Sequence, residues 1–158
     1  MQYGILIGRF QPLHKAHQSI IDEIMHDGRK PIIFIGSSNK SDEKNPFSYA
    51  ERAAMIHDIY GGNVLTLPLA DHEDDHIWAS WVCSALARAN ILVDDCLIYY
   101  FLKEDDFNIS KLLPEFRFKR PTYPEIYGLI SASNIRDDPQ GNKQYIDGRI
   151  LKILEGKL

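Results

Sequence analysis

The sequence predicts a doubly wound, Rossmann-like α/β domain of about five parallel strands with helices on both faces, and three observations carry that reading. Short, continuously apolar runs alternate with segments whose apolar residues recur at helical spacing. The apolar runs lack in-out alternation, as strands buried on both faces do, and parallel neighbours are joined only through crossovers. The chain has 158 residues, the size of one domain. No repeat, low-complexity tract or linker interrupts the alternation, so residues 1–158 read as a single unit.

Tyr3 to Ile7 is the first strand, ending at Gly8. Ile20, Ile21, Ile24 and Met25 mark a helix closed by Gly28, whose missing side chain suits a C-cap. Pro31 to Ile35 is the second strand, ending on Gly36. After the polar stretch Ser37 to Asn45, Ser48 and Glu51 form a capping box for a helix that runs to about Tyr60, where Gly61 and Gly62 stop it. Val64 to Leu67 is the third strand, Ile77 to Ala89 a helix, and Cys96 to Leu102 the fourth strand. Asp105 to Pro124 is less regular, with a short helix before Pro114 and a strand near Phe116 to Phe118. A turn of helix opens near Ser133, and Ile146, Ile150, Ile153 and Leu154 mark a closing amphipathic helix at about 143–156. In such sheets ligands bind beyond the carboxyl ends of the strands, where strand order reverses. The loops after Ile7, Ile35, Leu67 and Leu102, with the segment around Ser131, are therefore expected to hold the site.

Eighteen Lys and Arg against twenty-two Asp and Glu leave a net charge of −4. That balance does not suit neutralising a long polyanion, so nucleic acid is not an expected partner, and Phe116 to Arg120 is only a short aromatic-basic patch. A few well-placed cations suffice for a small phosphorylated ligand. At 44% hydrophobic residues, one core forms without a disulfide or metal staple. Cys83 and Cys96 lack C-x-x-C spacing and read as buried thiols in a reducing compartment. No stretch approaches the roughly 18 apolar residues of a membrane helix, and the start is not basic. A soluble cytoplasmic protein with no membrane partner is the expectation.

Gly8 to His17 reads G-R-F-Q-P-L-H-K-A-H, neither G-x-G-x-x-G nor the lysine-bearing P-loop. Gly8 lets a ligand approach the backbone, Pro12 fixes the turn, and His14 and His17 share a face at a helix start, where free N–H groups and the dipole favour an anion. Imidazole N–H donors there can hold phosphate oxygens that gain charge in a transition state. Two histidines alone do not make a zinc site. Ile130 to Arg136 reads I-S-A-S-N-I-R, with Ser131 and Ser133 at a second helix N-terminus aimed at phosphate and Arg136 as a planar cationic fork. Each segment alone also has a plainer reading: surface histidines in the first, a serine N-cap in the second. The run D-H-E-D-D-H from Asp71 to His76 reads as a solvated loop whose Asp75 caps the next helix rather than as a metal site, and Lys103, Glu104, Asp105 and Asp106 as a polar loop beside the site.

Together the two segments resemble the nucleotidyltransferase superfamily that carries a G-x-F-x-P-x-H-x-G-H loop and a late I-S-S-T-x-x-R segment, related to the HIGH loop of class I aminoacyl-tRNA synthetases. Within it the chain resembles the nicotinamide mononucleotide adenylyltransferases of the archaeal and Nudix-fused bifunctional type. That narrower likeness rests on the G-R-F-Q-P start, on K-N-P-F-S-Y-A-E-R from Lys44 to Arg52, on Asp71 and Trp78, and on F-L-K-E-D-D-F-N-I-S-K-L-L-P-E-F from Phe101 to Phe116. It covers nearly the whole chain, leaves no room for a Nudix hydrolase, and so reads as the synthetic half standing alone. Ala16 stands where the family has glycine, and Ala132 and Ser133 replace its serine and threonine. A methyl at position 16 would crowd an adenine or ribose packed directly on that backbone, whereas Ser133 keeps the hydroxyl.

The resemblance implies that ATP and nicotinamide mononucleotide give NAD and pyrophosphate by in-line attack on the α-phosphorus of ATP. It implies that His14 and His17 bind the ATP phosphates, with His17 nearest the reacting phosphorus, and that Arg136 holds the outgoing phosphates. Gly8, Arg9, Phe10, Lys44, Ser131 and Ser133 would contact ATP or phosphate. Asp71 would lie by the carboxamide, and Trp78 would stack on the pyridine ring, with Trp81 the core member of the pair. Magnesium (Mg2+) would come with ATP, without a protein metal cage. An adenylyl- or cytidylyltransferase acting on another phosphorylated substrate such as nicotinic acid mononucleotide or phosphopantetheine, a non-catalytic NAD or ATP sensor, and homo-oligomerisation stay open.

Overall fold

Five strands form one sheet in the order β3-β2-β1-β4-β5: β1 (Tyr3–Gly8), β2 (Lys30–Ile35), β3 (Leu65–Pro68), β4 (Cys96–Tyr99) and β5 (Arg117–Lys119), all paired in parallel. The computed structural model describes residues 1–100, 106–122 and 124–157. Phe101 and Leu102, expected to end the fourth strand, and the expected loop residues Lys103, Glu104 and Asp105 lie outside the described residues. Asp106, expected in that loop, instead opens a helix.

The helices are α1 (Lys15–His26), α2 (Tyr49–Tyr60), α3 (Asp75–Arg88), α4 (Asp106–Leu112), α5 (Ala132–Asp137) and α6 (Gly148–Lys157). Successive strand residues point to opposite faces, so the apolar runs feed two cores. Leu6, Ile33 and Ile35 pack with Ile20 and Ile24 of α1, Met55 and Ile56 of α2, and Ile150 and Leu154 of α6. Ile5, Ile32, Phe34 and Ile98 pack on the other face with Val82 and Leu86 of α3 and with Leu113. Ile32 to Ile35 are each 0% exposed, which is why this strand shows no alternation in sequence.

The caps explain the element boundaries. Ser48 Oγ accepts from the Glu51 N–H at 3.1 Å while Glu51 Oε1 accepts from the Ser48 N–H at 3.0 Å, the reciprocal box expected there. Gly28 lies at φ 77° and Gly61 at φ 59°, the left-handed region that favours glycine at a helix end. Asp74, rather than Asp75, caps α3, accepting from the His76 and Ile77 N–H groups at 2.8 and 3.4 Å. β3 is shifted one residue toward Pro68, because Val64 turns into the α2 core. The closing helix starts later than the apolar spacing suggests: Gln140–Tyr145 is 3-10 and Asp147 Oδ1 accepts from the Arg149 N–H at 2.9 Å. Cys96 is buried as expected, but Cys83 is only half-buried, with its Sγ 3.0 Å from Glu115 Oε1. Burial first, and an acidic neighbour in each case, push both thiols up to about 11, so they stay protonated. Among the described residues no helix is long and apolar enough to cross a membrane.

Candidate active site

β1 has β2 on one side and β4 on the other, so the order of strands reverses at its carboxyl end. Two cavities meet there. One, of about 400 Å³, is lined by Gly8, Arg9, Ser37, Asp71 and Trp78, with Ile109 and Leu112 as an apolar wall. The other, of about 290 Å³, is lined by Arg9, His14, His17, Ser131, Ser133 and Arg136. Arg9 lines both.

Two glycines let the strand ends approach. The Gly36 N–H donates to Gly8 O at 2.7 Å, and a Cβ on Gly36 would sit 3.3 Å from that same oxygen. A Cβ on Gly8 would sit 3.1 Å from the Phe10 ring. Phe10 itself turns the loop at φ 53° and is 1% exposed, its ring centroid 4.4 Å from that of His17.

His14 is the N-cap of α1 and His17 lies three residues on, so the expected shared face is formed. Their rings stack with centroids 3.8 Å apart at 24°, and both are buried. The His14 backbone N–H donates to His17 Nδ1 at 3.2 Å. A ring whose Nδ1 accepts carries its proton on Nε2, so His17 presents an Nε2–H donor.

On the far wall, Ser131 caps α5, accepting from the Asn134 N–H at 3.3 Å, and its Oγ lies 3.0 Å from that of Ser133. α5 has only 6 residues, too few to sum a large dipole. Beside this helix start the Ser131 and Ser133 hydroxyls and Arg136 line the second cavity. Arg136 Nη1 donates to Gln11 O at 2.7 Å. Burial first, then repulsion from Arg9, draws the Arg136 guanidinium below its ordinary range, and the same two causes act on Arg52 against an opposing pull from Asp71. Arg9 thus repels two other guanidiniums, a repulsion that an anion would relieve.

In the first cavity, Ser37 turns at φ 50° and its hydroxyl donates to Asp71 Oδ1 and Oδ2 at 3.0 and 2.9 Å. Asn39 brackets the same residue, accepting from the Asp71 N–H at 2.9 Å and donating to Asp71 O at 3.4 Å. Trp78 is half-buried against the α3 core and lines the cavity. Trp81 is not the core member expected: it is 37% exposed and edge-on to His72 at 5.2 Å, because the buried stripe of α3 runs through Ala79, Val82, Ala85 and Leu86.

Lys44 is exposed and lines neither cavity; its N–H donates to Asp42 Oδ1 at 3.0 Å. Ala16 is 0% exposed in the α1 core and also lines neither cavity. Among the described residues no group of His, Cys, Asp and Glu is placed to hold a metal ion, and none of those lining the second cavity is a carboxylate. Ser37, Gln11 and Arg52 carried no functional expectation from sequence. Gln11 and Arg52 lie inside the motifs that carry the likeness, and Arg52 left a further signal, a cation at i−3 and i−4 from Met55 and Ile56 on the buried stripe of α2.

The cytidylyltransferase-like family matches residues 5–137. A nicotinamide-nucleotide adenylyltransferase from Methanococcus maripaludis is 34% identical over 162 aligned positions, covering 96% of this chain and 88% of the relative. One from Methanolobus tindarius is 40% identical over 88 residues, 53% of this chain and 51% of the relative. The solved bifunctional NMN adenylyltransferase/ADP ribose pyrophosphatase from Francisella tularensis shares the fold with a TM-score of 0.80 at 24% identity, over 98% of this chain and 49% of that one. A further structure of that Francisella enzyme is complexed with AMP and a Mn ion. The chain therefore spans about half the length of the Methanolobus relative and of the Francisella chain, at 51% and 49%.

Proposed function

Since this chain belongs to the cytidylyltransferase-like family, we propose that it is a nicotinamide-nucleotide adenylyltransferase, joining ATP and nicotinamide mononucleotide into NAD and pyrophosphate. The observation that carries this reading is the position of Arg9, at the junction of a cavity with an aromatic ring and a carboxylate and a cavity of N–H, hydroxyl and guanidinium donors. A dinucleotide has that order of chemistry: a pyridine nucleoside at one end, phosphates in the middle and an adenylate beyond. In the curated relatives the same activity is named.

In the reaction an oxygen of the mononucleotide 5′-phosphate attacks the α-phosphorus of ATP. The new O–P bond forms as the bond to the bridging oxygen breaks, and its electron pair leaves with pyrophosphate. The nucleophile is already anionic, so no general base is needed, and alignment with charge stabilisation supplies the rate. His17 donates its Nε2–H to an oxygen of the reacting phosphate, and His14 holds the neighbouring phosphates. Phe10 keeps the His17 ring in place, and Gly8, whose missing side chain leaves room for the Phe10 ring, offers its backbone to the ligand. Arg136, with the Ser131 and Ser133 hydroxyls, receives the charge of the departing pyrophosphate. Arg9 bridges the two phosphates at the junction, and Lys44 adds a point charge from its exposed loop. Trp78 stacks on the pyridinium ring, a flat cation suited to an aromatic face. Asp71, fixed by Ser37, accepts from the carboxamide N–H. A magnesium ion, carried on the ATP phosphates rather than by this carboxylate-free pocket, would neutralise part of their charge.

The test is an assay of purified protein with ATP and a panel of nicotinamide mononucleotide, nicotinic acid mononucleotide and phosphopantetheine, separating products by chromatography. NAD formed with matching pyrophosphate is expected, and no NAD from the nicotinamide substrate overturns the reading. His17→Ala is expected to lower kcat about 100-fold or more, the usual cost of one donor to developing charge; wild-type turnover would remove His17 from its role.

A further inference from the structure

Arg52 is 0% exposed, yet no carboxylate pairs with it among the described residues. Its hydrogen bonds all go to backbone carbonyls. Nη1 donates to Arg9 O at 2.7 Å and to Gly36 O at 2.6 Å, Nη2 to Ser37 O at 3.4 Å, and Nε to Ser48 O at 3.2 Å. Asp71 exerts a pull on it without forming an ion pair, and a cation so buried is strongly destabilising unless dipoles compensate it, whereas packing alone would be served better by an apolar side chain. The carbonyls come from three separate segments: the loop after β1, the loop after β2 and the N-cap of α2. Arg9 carries the cation at the junction of the cavities, and Ser37 carries the hydroxyl that fixes Asp71. One planar fork thus sets the backbone from which both groups project, a task a lysine point donor cannot perform.

Gln11 makes the second joint. It is 2% exposed; its Nε2 donates to Phe47 O at 2.9 Å and its Oε1 accepts from the Phe47 N–H at 3.0 Å. Its own carbonyl accepts from Arg136 Nη1 at 2.7 Å. Arg136 on one wall and the loop after β2 on the other are therefore tied through a single residue. The sheet pairing ends at Gly8 and Ile35, so these bonds order the loops beyond it, where the cavities lie.

We propose that Arg52 and Gln11 are positioning residues for adenylyl transfer, clamping the loops after β1 and β2 into one unit so that the mononucleotide and ATP halves of the site keep their spacing. The proposal rests on the functional reading above. Its test compares wild type, Arg52→Lys, Arg52→Met and Gln11→Ala by thermal midpoint, by kcat and KM for each substrate, and by calorimetric NAD binding, well below each midpoint. Misplacement of reacting groups by about 1 Å costs on the order of 100-fold in rate, so Arg52→Lys and Gln11→Ala are expected to lose about that in kcat. A rise in KM for the mononucleotide and weaker NAD binding should accompany it in Arg52→Lys. A role confined to folding would lower the midpoint and the active fraction while leaving KM and NAD affinity of the folded protein unchanged, and that result overturns the proposal. Should both Arg52 variants fail to fold, Gln11→Ala decides, and wild-type kcat in it overturns the clamp. Wild-type protein that makes no NAD overturns the functional reading and the proposal with it; active wild type with unaltered variants overturns the clamp alone.

Discussion

Ser37 donates one hydroxyl to both carboxylate oxygens of Asp71, at 3.0 and 2.9 Å, across 34 residues of sequence. The bond fixes the acid against the wall that Trp78 shares. Ser37 sits at φ 50°, where glycine keeps the backbone unstrained and alanine does not, so Ser37→Gly isolates the hydroxyl. A hydrogen bond to a charged group contributes about 1.5–3 kcal/mol. KM for the mononucleotide is expected to rise about tenfold or more with KM for ATP unchanged, and steady-state kinetics with each substrate varied check it. An unaltered mononucleotide KM would detach Asp71 from that substrate.

The two tryptophans separate cleanly. Trp78 lines the first cavity while Trp81 is 37% exposed on the flank of α3. NAD is expected to quench the fluorescence of Trp81→Phe about as in wild type and to leave that of Trp78→Phe nearly unchanged. Quenching that follows Trp81 instead would place the pyridine ring elsewhere.

Ala16 fills the α1 core and lines neither cavity. Restoring the family glycine by Ala16→Gly should therefore destabilise the protein by about 1 kcal/mol, through the buried methyl it removes and the backbone freedom it adds, and leave KM for ATP where it was. Urea unfolding and kinetics measure the two effects, and a marked fall in KM would show that the methyl does meet the nucleotide.

Asp147 anchors the start of α6, accepting from the Arg149 Nε and N–H at 2.9 Å each, and Arg149 Nη1 donates to Asp58 O of α2 at 2.9 Å. The bonds from Arg149 to the Asp147 carboxylate, its side chain first, lower that carboxyl from 3.8 to about 2. A carboxyl lowered on folding stabilises above its unfolded value and loses that contribution as pH falls through the folded one. Wild type should be more stable than Asp147→Asn at neutral pH, and the gap should close between about pH 4 and pH 2. Urea midpoints across that range test it; a gap independent of pH would assign the effect to packing.

What sequence makes legible here is what neighbours decide. The Ser48–Glu51 box, the glycine helix ends and the loop carrying His14 and His17 each lie within a few residues of one another, so spacing reveals them. Errors arise where one residue of offset matters, as with Asp74 for Asp75, or where a helix has two candidate faces, as with Trp78 and Trp81. The closing helix, expected from about residue 143, opens only at Gly148, because Gln140–Tyr145 forms 3-10 turns.

By itself the sequence determined the five-strand parallel fold, the family and the loops that line the two cavities, because periodicity, caps and motifs are short-range features. Only the tertiary structure decided that Arg9 stands between the two cavities and that Ser37 holds Asp71. It alone placed Arg52 beneath two loops with four hydrogen bonds to backbone carbonyls. Those relationships depend on which distant loops meet where the strand order reverses, and a buried cation is compensated by dipoles that only the folded backbone brings together.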